Sequence, residues 1–306
     1  MREGLGMSLI NRIKGGLFGV AVGDALGGTT EFMSRSEIAD RYGVLTEFVG
    51  GGYWNLRPGE TTDDTMMTLC VAEGLLENPQ NPVPAIGERF LRWFDTNPKD
   101  VGNIIRCVFI LYEKDWFDAA RIVHRELGRS AGNGSLMRCL PVALLYPDLH
   151  DVERVSRLQS NMTHFDERCA EACSIYNRAA YRMLRDGAGL MEAIRAEIRN
   201  TEYDDDLEKE PDCPPDGFVV HTFRWVLHVL ATSGTFAEVV QKAANLGGDA
   251  DTIAAIAGGL AGVHYGFDGI PERYASRILL KDRLEDVCSR ICAMREKLSC
   301  NRFPSS

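Results

Sequence analysis

The stretch Leu246-Gly247-Gly248-Asp249-Ala250-Asp251-Thr252-Ile253-Ala254-Ala255-Ile256-Ala257-Gly258-Gly259-Leu260-Ala261-Gly262 is the part of the chain around which the rest is read. Two glycines open a tight turn, and two carboxylates and a hydroxyl follow at once. The positions from Ile253 onward then carry no charge. Alanine and glycine let neighbouring backbones come close, so this segment suits a helix at the centre of a core. Such a helix, charged only at its first turn, needs a use for those charges, because an uncompensated carboxylate is costly away from water. Asp249 or Asp251 could cap first-turn amides, where the helix dipole favours them. They could equally hold a cation.

The bulk composition narrows the class. A chain of 306 residues that is 45% hydrophobic and 25% charged is ordinary for a globular protein, and a single domain over 1–306 has ample core. A net charge of -10 argues against a nucleic-acid binder with a broad basic face, though not against a single ligand that carries phosphates. Nine cysteines are too sparse for a disulfide scaffold, and the odd count leaves at least one free. Cys169 with Cys173 and Cys288 with Cys292 have helix-face spacing and read as buried or half-buried thiols. Residues 1–10 hold charges without a long apolar run, and no segment reaches 18 apolar residues, so a cytoplasmic protein is expected.

Along the chain, Ser8 is placed to cap a first helix through Leu9, Ile13, Leu17 and Val20. That helix is expected to end in a glycine-rich bend at 23–32, which holds Asp24 and Glu31. Residues 42–58 read as a long ordered loop of the kind that often serves function. Helices are expected from Thr61–Asp64 through Leu75, then over 84–94, 101–113 and 117–127. A second glycine-rich helix entry lies at 130–135 with a helix over 136–145 behind it, which Pro141 should kink or shorten. Further helices fit 151–162, 166–184, 190–198, 218–230 and 236–246, with one or two amphipathic helices over 271–298. The acidic, proline-containing stretch 201–217 reads as a mobile surface loop. The last residues are expected to fray. No strand alternation and no repeat stand out, so the fold class is all-α.

A second acidic helix entry, Gly59-Glu60-Thr61-Thr62-Asp63-Asp64-Thr65, matches the first in kind. Adjacent aspartates point different ways at a helix start, and Asp249 and Asp251 could reach the same point from the opposite side. With Thr62, Thr252 and Glu31 the set is all oxygen, which suits hard cations such as Mg²⁺ or Mn²⁺ and suits structural zinc poorly. His221 and His228 share a helix face but have no third partner, so zinc is not expected there either.

These residues carry a resemblance. Gly23-Asp24-Ala25-Leu26-Gly27 with Glu31, Thr62-Asp63-Asp64, Asp100-Val101-Gly102-Asn103, Gly132-Asn133-Gly134 with Met137-Arg138, Thr163-His164, and Gly247-Gly248-Asp249-Ala250-Asp251-Thr252 resemble the ADP-ribosylglycohydrolase family, in its bacterial branch. The likeness runs over residues 11–270 in the family's order. It implies a compact all-α fold with two Mn²⁺ or Mg²⁺ ions and an ADP-ribosylated protein as substrate. The modified side chain would be arginine, and dinitrogenase reductase is a candidate target.

By the same resemblance Thr62, Asp63 and Asp64 would hold one side of the metal pair. Asp249, Asp251 and Thr252 would hold the other, with Asp251 as the bridge. Glu31 and Asp100 would be the carboxylates beside the reacting bond, with Gly102 and Asn103 on the loop next to it. Gly132, Asn133, Gly134, Ser135 and Met137 would wrap the ADP-ribose, and amides exposed at a helix entry can receive a diphosphate without any lysine. The chain departs from the branch where Phe218 stands for a frequent tyrosine and His221 for an aspartate; the Phe218 ring could still stack on substrate. His164 either supports a helix entry or works beside the ligand. Asp24 is read as a structural acceptor, and Arg138 as a tie between the phosphate loop and an acidic neighbour. Tyr53 and Trp54 either wall the cleft or pack the long loop. The main expectation is a monomeric, metal-dependent hydrolase of ADP-ribosylarginine. The alternatives are cleavage of serine-linked or other O-linked ADP-ribose, and a catalytically silent ADP-ribose-binding regulator.

Overall fold

The computed structural model describes residues 7–300. Its helices are α1 (Leu9–Gly27), α2 (Arg35–Tyr42), α3 (Asp63–Glu77), α4 (Pro82–Phe94), α5 (Asn103–Leu111), α6 (Trp116–Leu127), α7 (Pro141–Leu145), α8 (Leu149–Asn161), α9 (Glu167–Asp186), α10 (Leu190–Ile198), α11 (Val219–Ala231), α12 (Phe236–Ala244), α13 (Ala250–Tyr265), α14 (Glu272–Ala275) and α15 (Lys281–Cys300). Strand-like pairing among the described residues is confined to two isolated bridges, Gly51 with Leu56 and Gly132 with Phe218. The all-α class read from the sequence is the one observed. Ser8 caps α1 by accepting from the Asn11 amide, and the fraying expected of the last residues lies outside the described ones.

The fold is built on the contact between α1 and α13. Gly15, Gly19, Gly23 and Gly27 recur every four residues on α1, and Ala250, Ala254, Gly258 and Gly262 recur every four on α13. The helices run antiparallel, with Gly15 at Gly262, Gly19 at Gly258, Gly23 at Ala254 and Gly27 at Ala250 and Asp251. A methyl group on any of these α1 glycines would overlap a backbone carbonyl of α13. A residue period of four keeps one face of a helix in register, and removing its side chains lets the two backbones touch. Around this pair, α12 packs on both helices, α3 and α15 lie against α1, and α9 and α11 lie against α13. The consequence for function is positional. The last turn of α1 and the first turn of α13 end at the same place.

Three expectations are corrected. The helical part of α1 runs on through Gly27, so the bend begins only after it. Glycine weakens a free helix, but Gly23 and Gly27 lie on the seam, where close backbone packing offsets that cost. Pro141 does not kink a helix over 136–145; it begins one, at the first-turn position of α7 where its missing N–H costs nothing, and tight turns precede it. Residues 201–217 form a built loop and not a free one. Tyr203 and Leu207 are buried, Trp225 Nε1 donates to the Cys213 carbonyl at 2.9 Å, and Arg224 donates to the Glu202 carbonyl at 2.8 Å. All nine cysteines are free thiols, five of them buried and one, Cys300, exposed. No described helix is long and apolar enough to cross a membrane.

Candidate active site

Helix α3 begins beside the meeting point of α1 and α13, and its unpaired amides are satisfied from outside. Asp24, fully buried in the last part of α1, accepts from the Thr62 amide at 2.9 Å and the Thr62 hydroxyl at 2.9 Å. It also accepts from the Thr65 amide at 3.0 Å and the Thr65 hydroxyl at 2.5 Å. A capping acceptor normally comes from the helix's own N-cap residue; here Thr62 makes no side-chain cap bond. Asp24 is thus the structural acceptor expected of it. Its presence frees Asp63 and Asp64 from capping. Asp63 accepts from the Gly102 amide at 3.1 Å. Asp64 Oδ2 takes weak bonds from the Thr62 and Thr252 hydroxyls at 3.3 and 3.4 Å, which link α3 to α13.

The start of α13 repeats this pattern. Asp249 stands at the N-cap position without a side-chain cap bond, and its Oδ2 instead accepts from Asn133 Nδ2 at 2.6 Å. Asp251 points inward. One oxygen each of Asp64 and Asp251, Oδ1 in both cases, is buried with no hydrogen-bond partner. Buried carboxylate oxygens are rarely left so, because desolvation without a partner is expensive. Glu31 joins from the bend after α1, and oxygens of Glu31, Asp249 and Asp251 lie within 4.8 Å of one another. Trp54 Nε1 fixes Glu31 from above at 2.5 Å.

Crowding shows in the acidities. Burial, and then the charge of Asp249, push Glu31 up to about 8 and Asp63 up to about 6. Burial and the neighbouring Asp63 charge push Asp100 up to about 10. Asp64 and Asp251 are raised well above the carboxylate range, by burial first and then by Asp24 and Glu31 respectively. Like charges packed this closely take up protons unless cations neutralise them. The donor set is all carboxylate and hydroxyl oxygen, with two buried oxygens left without a partner, so it fits hard divalent cations.

These groups line one side of a cleft of about 620 Å³. Asp63, Asp249, Asp251 and Thr252 reach its surface, with Glu31 and Asp100 beside them. Thr62 and Asp64 lie just behind, buried. Gly102, Asn103, Gly132, Asn133, Gly134, Met137 and His164 also line it, as the sequence suggests. The glycine loop is held by pairing with the start of α11, through Asn133 amide to Gly217 carbonyl at 3.0 Å and Val219 amide to Ala131 carbonyl at 2.9 Å. The Asn133 amide is therefore spent inside the protein, against the expectation that the amides of this loop all face a ligand. A Cβ on Gly134 would lie 2.9 Å from Ile105 Cδ1 and 3.0 Å from His164 Cε1, so a side chain there would press on both neighbours.

Two predicted ligand contacts lie elsewhere. The Ser135 hydroxyl turns away into the core and pairs with Ser160 at 2.8 Å. Phe218 meets Gly132 through its backbone bridge, but its ring packs edge-on to His221 and beneath Arg168, not on the cleft lining. His164 is buried under the glycine loop with Nδ1 against the Thr163 hydroxyl at 2.8 Å, and burial lowers its pKa to about 3. It is a neutral wall residue. Arg138 ties the loop as expected but to neutral oxygens. It binds the carbonyls of Gly134 and Gln159, Gln159 Oε1 and the Thr163 hydroxyl, with no acidic partner. His221 pairs through Nδ1 with Asp216, and His228 through Nδ1 with the Leu207 carbonyl.

Other cleft residues escape a reading of the sequence. Pro215, Asp216 and Gly217 line it from the far end of the acidic loop, and Asp249 is anchored there by its amide on the Pro215 carbonyl at 2.8 Å. Phe32 lines it too; its place directly after Glu31 was the available signal. Tyr53 and Trp54 wall the cleft in addition to packing their own loop.

The comparisons with known proteins agree with this geometry. The model of the family described as ADP-ribosylglycohydrolase matches residues 6–300. The ADP-ribosyl-[dinitrogen reductase] glycohydrolase of Rhodospirillum rubrum is 36% identical, over 90% of this chain and 93% of that protein. The ADP-ribosylarginine hydrolase Tri1 of Serratia proteamaculans is 28% identical, over 93% of this chain and 80% of its own length. A solved structure titled ADP-ribosylglycohydrolase-related protein complex superposes with a TM-score of 0.78 at 29% identity, covering 94% of this chain and 99% of that one.

Proposed function

The chain belongs to the ADP-ribosylglycohydrolase family, and from that premise we propose that it hydrolyses the N-glycosidic bond between ADP-ribose and an arginine of a modified protein, as a metal-dependent monomer. The observation that carries this reading is the pair of buried, unpartnered oxygens on Asp64 and Asp251, where two helix entries face each other without capping their own amides. Thr62, Asp63 and Asp64 from α3, with Asp249, Asp251 and Thr252 from α13, would hold two Mn²⁺ or Mg²⁺ ions, and Asp251 would serve both. The chemistry such ions supply is a grip on the vicinal hydroxyls of the reacting ribose and a lowered pKa for bound water.

The protein's own groups have distinct tasks. Glu31 and Asp100 flank the metal-binding carboxylates and are placed to handle protons as the C1″–N bond opens through an oxocarbenium-like state. Trp54 orients Glu31; the Gly102 amide, by holding Asp63, sets the loop that carries Asp100. The backbone of Gly132 and Gly134 receives the ADP-ribose, supported from beneath by His164 and Arg138. The names of the bacterial relatives favour arginine as the modified residue, and a dinitrogenase reductase is the first target to try.

The test is release of ADP-ribose from a protein ADP-ribosylated on arginine, with and without Mn²⁺, beside a serine-linked substrate. Metal-dependent release from arginine is expected. Release from serine alone would move the substrate class to O-linked ADP-ribose, and tight ADP-ribose binding without release would favour a silent binding protein.

A further inference from the structure

Phe32, Tyr53 and Trp54 form an aromatic wall on the Glu31 side of the cleft. Tyr53 stands edge-on to both neighbours, with ring centroids 5.0 Å from Phe32 and 4.7 Å from Trp54. Phe32 is 59% exposed and Tyr53 69% exposed, although both line the cleft. In an edge-to-face pair one ring lends only its edge, and with this exposure each of the two rings keeps a face open to solvent. The backbone of Phe32 is left-handed, φ 64°, a conformation that a bulky residue rarely adopts. It is locked there by its amide on the Gly248 carbonyl at 2.7 Å and by the Gly248 amide on the Met33 carbonyl at 2.9 Å. A ring left largely in solvent gains little packing to offset such strain, and strain of this kind gathers at functional sites.

The glycine loop lines the same cleft and is the part assigned above to the ADP-ribose. Six carboxylates line the cleft and no lysine or arginine does, among the described residues. No cation of the protein therefore competes for the aromatic faces in the cleft, and a cationic, planar group from a substrate can stack there. Guanidinium is weakly hydrated and stacks on aromatic faces, which an ammonium or a neutral hydroxyl does less well. We infer that Phe32 and Tyr53 receive the guanidinium of the arginine from which ADP-ribose is removed, and so set the preference for arginine over neutral linkages. This rests on the hydrolase reading above and specifies its leaving-group side.

Phe32→Ala, Tyr53→Ala and Tyr53→Phe test it in the full-length protein. Trp54 is left intact because its loss would also release Glu31. The substrate is a protein ADP-ribosylated on arginine, and free ADP-ribose serves as a competing ligand that lacks the guanidinium. Both alanine variants are expected to raise KM about two- to thirtyfold, the range that cation–π contacts span. The kcat, the inhibition constant of ADP-ribose and the melting temperature should hold, and Tyr53→Phe should behave as wild type. Equal weakening of ADP-ribose would overturn the inference, since the wall would then hold the nucleotide. Unchanged KM in both alanine variants would overturn it as well. Absence of any release by the wild-type protein would instead overturn the hydrolase reading, and the inference with it.

Discussion

Aspartates open helices α6, α8 and α9 and also helices α3 and α13, but to different ends. Asp115, Asp148 and Asp166 accept from amides two or three residues on, at 2.9, 3.2 and 3.1 Å, and so close the exposed ends of their own helices. Asp63, Asp64, Asp249 and Asp251 make no such bond. At α3 the reason is visible: Asp24, from another helix, already occupies the amides. An aspartate relieved of capping is left with lone pairs to direct elsewhere: Asp249 and Asp251 meet Glu31, Asp63 takes the Gly102 amide, and Asp64 takes the hydroxyls of Thr62 and Thr252. The chemical type of a residue and its place at a helix start are therefore insufficient to assign its role. What decides is whether another acceptor has reached the amides first.

Substitutions at the two kinds of entry should separate. The largest effect is expected of Asp251→Asn, with activity falling by more than the roughly hundredfold that loss of a supporting group around a metal costs. Its metal-free melting temperature should hold or rise, because the amide replaces a carboxyl group that has to take up a proton to stay buried among like charges. A fall in melting temperature with activity retained would erase the distinction. Asp24→Ala should do the reverse, costing about 3 kcal/mol or more of stability as four buried donors lose their acceptor, readable by denaturant unfolding. Activity should then fall through loss of the α3 entry.

Metal linkage offers a sharper comparison. Mn²⁺ at about a hundred times its dissociation constant should stabilise the wild-type protein by about 2.7 kcal/mol, and Asp251→Asn by much less. Equal stabilisation of both would place the ion elsewhere. The smallest effect belongs to an ordinary cap: Asp115→Ala should cost about 1 kcal/mol, with kcat/KM and the response to Mn²⁺ unchanged.

Much of this arrangement could be read along the chain. Periodicity gave the helical class, and the two acidic entries with Glu31 marked the site, because local patterns carry local structure. The missing parts are all long-range. Asp24 and Thr62 are 38 positions apart, and nothing near either residue announces that one caps the other. Gly23 and Gly27 looked like the end of α1 because their partner, α13, lies more than 200 residues away. Residues 201–217 looked mobile because their charges are conspicuous, whereas the buried Tyr203 and Leu207 that hold them are two residues among many. Ser135 sits in a loop with the right composition for ligand binding, but its rotamer is fixed by Ser160, which only the packing of α8 supplies. Asp216 reached the cleft unforeseen for the same reason.

The seam between α1 and α13 acts as the datum from which the site is measured. Most helix pairs are spaced 8–10 Å apart by side chains, and those side chains hop between rotamers as temperature rises. Here main chain rests on main chain, so there is almost no compliant layer between the helix that leads into Glu31 and the helix that carries Asp251. Sliding one helix by a single residue would shift it about 1.5 Å and turn its carboxylates away. The gap between those two carboxylates should thus be nearly athermal, and the enzyme should keep its working dimension until the two helices part.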